Sequence, residues 1–215
     1  MSDHWRWWHV ATEDKVICEQ WLRITFSHHC LYRLQLLHMP ATMSPQLTLY
    51  RANKSCSLVA HILLRELSIP YTTVLLAFGP DGVEAADGSF SHADYRKINP
   101  SGLVPALRVE DEIITELPAI LTYIAGLRPE SKWFGKDNLE RAKVYRWLCW
   151  LSGTLHGYGY GMILRPARFA EDPSIHPSIV ASGRKIVTDC YERIERSLQG
   201  EHVVGDELTI VDINV

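Results

Sequence analysis

The side chain whose type and position most clearly suggest chemistry is Cys56. It lies between Ser55 and Ser57, directly after a predicted strand over Leu47–Arg51 and at the predicted start of a helix that Ser55 would cap. Unpaired amide groups and the positive end of the helix dipole favour an anion there, so the position is expected to lower the pKa of a thiol. The same site can bind the thiolate of a substrate. Position alone leaves open a second interpretation, in which Cys56 is a small core residue.

Pro105 is the second candidate, because it stands at the start of a predicted strand. A proline cannot donate a hydrogen bond to a sheet, so it requires an edge, a first position or a bulge. A cis peptide bond between Val104 and Pro105 would satisfy this requirement. It would also leave the Val104 backbone free to pair with a peptide-like ligand. The alternative is a simple proline at a strand edge.

Glu116 is the third candidate, at the predicted start of another helix. The helix dipole favours an acidic residue there, and the simplest interpretation of Glu116 is therefore a helix cap. The functional interpretation is a carboxylate that binds the amine of a ligand.

The composition restricts the class of protein. The chain has 215 residues, of which 47% are hydrophobic, and a formal net charge of -3. These values predict a globular protein without the basic surface of a nucleic-acid-binding protein. Neither an apolar stretch of about 18 residues nor an N-terminal signal sequence is present, so we expect a cytoplasmic protein without a membrane partner. The five cysteines are scattered and no metal-binding motif occurs, so we expect neither a disulfide framework nor a metal.

Hydrophobic periodicity divides the chain into four segments. Residues 1–45 are expected to be an extension, poorly ordered or atypical. Residues 46–127 show the order strand, helix, strand, short helix, hairpin, helix, and the helix between the first two strands predicts that those strands are parallel. Residues 128–136 form a polar linker. Residues 137–215 are predicted to be helical.

Within these segments, Gly and Pro mark the expected interruptions. Residues 79–91 are predicted to be a loop, and residues 157–173 are predicted to separate long helices over 138–156 and 178–198.

Thr209 and Asp212 have the spacing of a helix start, with Thr209 as the N-cap. Little sequence follows them, and a single helical turn is unstable alone, so the helical domain is expected to be truncated.

Four motifs, in this order along the chain, resemble those of cytosolic glutathione transferases. They are LYRANKSCSLVAHILLRE, INPSGLVPAL, IITELPAI and GDELTIVDINV. The similarity covers residues 46–215 and is greatest to the bacterial beta class and its fungal relatives, whose first helix starts with the cysteine of a similar SCSL run. It implies an α/β plus all-α chain, with a thioredoxin-like N-terminal domain at 46–127 followed by a helical C-terminal domain.

The resemblance also implies roles for individual residues. Cys56 matches the family cysteine that contacts or bonds the sulfur of glutathione, and its neighbours Ser55 and Ser57 are counted with it as candidate catalytic residues. Pro105 matches the family's cis-proline. Val104 matches the residue whose backbone pairs with the cysteinyl unit of glutathione.

Further matches extend the candidate glutathione site. Glu116, with Leu117 beside it, matches the position that holds the γ-glutamyl end, and His156 matches a family histidine near the active site. Thr209 and Asp212 match the family's helix-capping box, which has no catalytic role.

Three departures from the family pattern affect these implied roles. Arg51 stands where beta-class relatives often carry a tyrosine. Leu117 replaces a small residue, Ser or Gly, and offers only its amide to the γ-glutamyl carboxylate. Gly157 replaces a lysine that often follows the histidine.

The activity implied by the resemblance is glutathione transfer. Glutathione is the expected co-substrate, used on small electrophiles or in thiol–disulfide exchange, and the chain is expected to form a homodimer. The alternative is a non-catalytic module of the same fold that serves dimerisation or protein binding, since fold does not determine function.

Overall fold

The structure is a computed structural model that describes residues 45–198 and 200–215. The extension predicted over residues 1–45 lies, except for Pro45, outside the described residues and stays a prediction. Residues 45–215 form one compact unit. No helix in the described part of the chain is long and apolar enough to cross a membrane.

Five strands form one mixed sheet in the order β3-β2-β1-β4-β5. Helix α1 (Ser57–Glu66) connects β1 to β2, and these two strands are parallel, as predicted. The remaining neighbours are antiparallel, and β4 and β5 form the predicted hairpin. The strands span Leu47–Ala52 (β1), Thr72–Gly79 (β2), Gly82–Ala85 (β3), Ala106–Val109 (β4) and Glu112–Thr115 (β5).

Strand β3 is a correction to the predicted loop over residues 79–91. It pairs with the end of β2 across a tight turn, with Phe78 opposite Val83. Gly and Glu give this segment little intrinsic preference for a strand, so backbone pairing and the burial of Val83 and Ala85 determine its conformation.

Alternating side chains of β1 supply both faces of the sheet with apolar residues. Leu47 and Leu49 belong to a cluster that includes α1, α3 (Leu117–Gly126) and the C-terminal helices. Tyr50 and Ala52 belong to a second cluster, which includes Tyr95 of α2 (His92–Ile98). Because successive side chains of a strand point to opposite faces, β1 contributes apolar residues to the clusters on both faces of the sheet, as a thioredoxin-like fold requires.

The C-terminal region is built on two long helical segments. The first starts with α4 (Asn138–Trp150), which the Asp137 carboxylate caps by accepting hydrogen bonds from the next amides. It continues without a break as a π-helix over Leu151–Tyr160 and as α5 (Gly161–Leu164). The second is α6 (His176–Ser197).

The predicted interruption from residue 157 is therefore wrong over its first eight residues, since the helix ends only at Leu164. The glycines in this stretch allow close packing of the helices. A Cβ atom built on Gly159 would lie 2.8 Å from Val187 Cγ2, and one on Gly183 would lie 2.7 Å from Met162 Cβ and 2.9 Å from the Gly159 carbonyl oxygen.

Gly183→Ala is expected to destabilise the fold by about 1–3 kcal/mol, because the new methyl group meets backbone that no rotamer change can move. Chemical unfolding measures the difference. Gly126→Ala is the control: nothing lies within 4 Å of its added Cβ, and we expect a change within about 1 kcal/mol. Equal stability of the two variants would show that the helix crossing tolerates a side chain.

The C-terminal capping box is formed. The Asp212 carboxylate accepts the Thr209 amide at 2.7 Å, and the Thr209 hydroxyl accepts the Val211 amide at 3.3 Å. The second Asp212 oxygen accepts the Val203 amide at 2.9 Å and so also fixes the preceding loop.

Candidate functional site

A cavity of about 230 Å³ lies between the sheet and the C-terminal helices. It brings together six of the eight residues that the sequence analysis named as site candidates. These six are Cys56, Val104, Pro105, Glu116, Leu117 and His156. Ser55 and Ser57 do not line it.

Cys56 occupies the N-cap position of α1, which begins one residue later than predicted. Its side chain is half-buried, and Sγ lies 3.4 Å from the Val104 carbonyl oxygen, to which it donates. The sulfur therefore faces the cavity beside the proline edge. This position does not match the alternative of a core residue packed away from that edge.

The expectation of a lowered thiol pKa is wrong. Burial raises the pKa of Cys56, more than its own backbone amide and the Arg165 guanidinium lower it, and the Glu116 carboxylate raises it further. Cys56 is therefore a protonated thiol at neutral pH. The position at a helix start predicts a lowered pKa. It does not show how strongly the walls of the cavity shield the sulfur from water, which raises the pKa.

The two serines fix the turn that presents Cys56. Ser57 is fully buried, and its hydroxyl accepts from the Ala52 amide at 3.1 Å and contacts the Ser55 hydroxyl at 2.6 Å. The Ser55 hydroxyl donates to the Ala52 carbonyl at 2.9 Å and accepts from the Ser57 amide at 3.3 Å. Both side chains thus hold the connection between β1 and α1 together.

The Val104–Pro105 peptide bond is cis. The carbonyl of the preceding residue, Leu103, accepts from the Tyr95 hydroxyl at 2.8 Å and from the Asn99 amide group at 2.6 Å. Among the described residues, the Val104 amide donates to no acceptor. These bonds fix the residue before Val104, while the Val104 amide stays available to a ligand at the cavity wall.

Glu116 has a positive φ of 66° (ψ 117°), which costs a non-glycine residue on the order of 1–3 kcal/mol. Its side chain does not cap α3, so the capping interpretation is wrong. Within the described ranges the carboxylate has neither a hydrogen bond nor an ion pair, and it is exposed. Leu117 begins α3 and packs its side chain against the core, so only its amide is available.

The π-helix forms one wall of the cavity. Its hydrogen bonds span five residues, so side chains four or five positions apart face the same side. Leu151, Leu155 and Tyr160 follow this spacing and line the cavity, as do Ser152 and His156. Protein atoms around His156 displace water and lower its pKa, and the Arg165 and Arg168 charges lower it further, so the ring is neutral at pH 7.

Two features near this site were not predicted from the sequence: the charge of Arg165 and the contact between Tyr160 and Tyr191. Arg165 is a half-buried cation whose charge acts on both Cys56 and His156, although it follows the helix and has no motif of its own. Tyr160 and Tyr191 come from different helices, and their hydroxyls lie 3.0 Å apart where both residues line the cavity. Only the packing of α6 against the π-helix reveals this second pair.

Arg165→Gln is expected to raise the pKa of Cys56, because the guanidinium favours the thiolate. The measurement is the pH dependence of Cys56 alkylation, followed on its own peptide by mass spectrometry. The profile should move to higher pH. Arg168→Gln is the control, since that charge acts on His156 but not on the thiol. The same displacement in both variants would contradict a specific effect of Arg165.

Comparisons with known proteins agree with this fold. The family model for the glutathione S-transferase N-terminal domain matches residues 55–127. Glutathione S-transferase GST-4.5 of Xanthomonas campestris pv. campestris is 32% identical over 166 residues, which are 76% of each chain. Glutathione S-transferase GstA of Escherichia coli O157:H7 is 31% identical over 161 residues, 74% of this chain and 73% of the relative.

Solved structures show the same fold. A glutathione transferase homolog from Sulfitobacter with bound glutathione superposes with a TM-score of 0.68 at 28% identity, over 80% of this chain and 79% of that one. The bacterial beta class glutathione S-transferase of Sphingomonas chungbukensis gives a TM-score of 0.63 at 29% identity, over 78% of each chain.

Proposed function

Because the chain belongs to the glutathione S-transferase family, we propose that its cavity binds glutathione and transfers it to small electrophiles or to disulfides. The observation that carries this proposal is the meeting of Cys56, the cis Val104–Pro105 bond and Glu116 around one cavity. These groups come from three separate positions in the sequence, and each offers a different contact to the tripeptide.

The Val104 backbone supplies the central contact. Its unpaired amide and its carbonyl lie at an edge that can pair with a peptide as an additional strand. The cysteinyl unit of glutathione has the complementary backbone groups. Pairing at Val104 brings the ligand sulfur next to Cys56, because Cys56 Sγ is only 3.4 Å from the Val104 carbonyl oxygen.

Glu116 supplies the charge contact. Its carboxylate is free of partners in the described part of the chain and is available to the γ-glutamyl ammonium group. The amide of Leu117 lies at the start of α3, where the helix dipole favours the γ-glutamyl carboxylate. One end of glutathione thus meets a carboxylate and an amide, which match its two charges.

The protonated Cys56 thiol supports two uses of the bound sulfur. As a donor, it stabilises the glutathione thiolate, which is the nucleophile toward an electrophile. After deprotonation it attacks the glutathione sulfur of a disulfide between glutathione and a substrate, so that a mixed disulfide of Cys56 and glutathione forms while the substrate leaves as a thiolate, which is thiol–disulfide exchange. Leu103, Leu151, Leu155 and Tyr160 add an apolar wall that suits a small apolar second substrate.

Calorimetric titration with glutathione tests the proposal. We expect saturable binding by the folded chain and weaker binding of cysteinylglycine, which lacks the γ-glutamyl group. A turnover assay with a chlorodinitrobenzene and a disulfide substrate then measures transfer. A folded chain that does not bind glutathione would refute the proposal and favour the non-catalytic module. Light scattering tests the proposed homodimer separately.

A further inference from the structure

A second cavity, of about 300 Å³, lies between α4, the end of α6 and the loop that follows α6. It shares no lining residue with the first cavity. Three cationic side chains line it: Lys143 and Arg146 from α4, and Arg196 from α6. Charges of one sign brought together at a concave surface repel one another unless an anion lies between them.

The acidic groups nearby form an ion pair with one of these three cations in the described part of the chain. Glu192 pairs with Arg196 at 3.3 Å, but no ion pair involves Lys143 or Arg146 within residues 45–198 and 200–215. Glu140 and Asp206, which flank the cavity in sequence, both pair with Lys136 instead. Two of the three cations therefore have no ion pair among the described residues and are available to a ligand.

Trp147 adds an independent observation. It lines the same cavity and is 2% exposed, and its buried indole Nε1 has no acceptor among the described residues. A buried N–H donor without a partner is unfavourable by about 1–3 kcal/mol. The Arg146 guanidinium lies 5.7 Å from the centre of the Trp147 ring, which restricts where this charge can be.

We propose that this second cavity binds a small phosphate ester through its phosphoryl group. A phosphoryl group carries up to two negative charges and several acceptor oxygens, which match two unpaired cations and an unpartnered donor. Arginine presents a planar set of donors that fits phosphate, while lysine supplies a point charge. Val203 and Val204 give the cavity an apolar side for the rest of the ester, and its volume is that of a small ligand site.

The test is titration of the full chain with inorganic phosphate and with adenosine monophosphate, at an ionic strength held constant with chloride. Calorimetry should show saturable binding, with the monophosphate at least as tight as inorganic phosphate. The Trp147 indole N–H resonance should shift during the titration. Saturating glutathione should not displace either probe, which separates this result from any result at the first cavity.

Lys143→Gln combined with Arg146→Gln should weaken binding by about tenfold or more, the size expected for losing charge-assisted hydrogen bonds. Arg184→Gln combined with Lys185→Gln removes the same charge from an exposed part of α6 and should leave binding unchanged. Equal weakening in the two double variants, displacement by glutathione, or an unchanged indole resonance would each overturn the proposal. Exclusion of adenosine monophosphate while inorganic phosphate binds would overturn the assignment to an ester.

Discussion

Cys56→Ala is expected to abolish thiol–disulfide exchange and to leave most of the conjugation activity. In exchange, the Cys56 sulfur attacks the glutathione sulfur of a mixed disulfide, the substrate leaves as a thiol, and a second glutathione releases oxidised glutathione. Without the sulfur no covalent intermediate forms, so this rate should fall on the order of 10³-fold or more. Conjugation loses only one hydrogen-bond donor, which corresponds to roughly 2–10-fold.

The two activities are measured on the same preparation, with a disulfide substrate and with a chlorodinitrobenzene. Cys149→Ala is the matched control, because this thiol is exposed on α4 and does not line the cavity. It should leave both rates unchanged. If Cys56→Ala also leaves both rates unchanged, the Cys56 thiol has only a structural role. A loss of both would show that the thiol is required for conjugation as well.

Glu116→Gln is expected to weaken glutathione binding by roughly tenfold, because the neutral amide cannot form an ion pair with the γ-glutamyl ammonium group. The apparent KM for glutathione should rise while kcat changes little, since the contact is remote from the reacting sulfur. High salt should reduce the difference in KM for glutathione between the variant and the parent protein, because salt screens the charge contact. Steady-state kinetics at two ionic strengths measure all three effects.

Glu112→Gln provides the matched control for Glu116→Gln. Glu112 is an exposed carboxylate on β5 of the same hairpin and does not line the cavity. Its removal changes the net charge equally, so any general electrostatic effect on glutathione appears in both variants. An unchanged KM in Glu116→Gln, or the same rise in both variants, would show that Glu116 does not hold the ligand.

Local patterns were sufficient to predict most of the sheet domain. The two-residue alternation of β1 and the apolar face of α1 identify their elements, and the helix between two strands predicts the parallel pair. Strand β3 could not be predicted, since its conformation comes from pairing with β2 rather than from its own residues. The helix also continues through Gly157, Gly159 and Gly161, and at Gly159 the close packing against α6 favours glycine.

The chemistry of the site was less predictable than its location. Cys56, Pro105 and Glu116 were found because each stands at the end of an element, where position has a physical meaning. The raised pKa of Cys56 depends on the walls of the cavity and on Arg165, which approach it only in the folded chain. The strained backbone of Glu116 likewise has no local sequence cause, since nothing in the residue type favours a positive φ.

The π-helix over Leu151–Tyr160 makes the shape of the cavity sensitive to the number of residues in this segment. A π segment differs from a regular helix in its hydrogen-bond span, five residues instead of four. Deleting one residue, such as exposed Gly153, would let the regular span form again and turn His156 and Tyr160 to new directions. A change of length in this segment, unlike a substitution, would therefore change which side chains line the cavity.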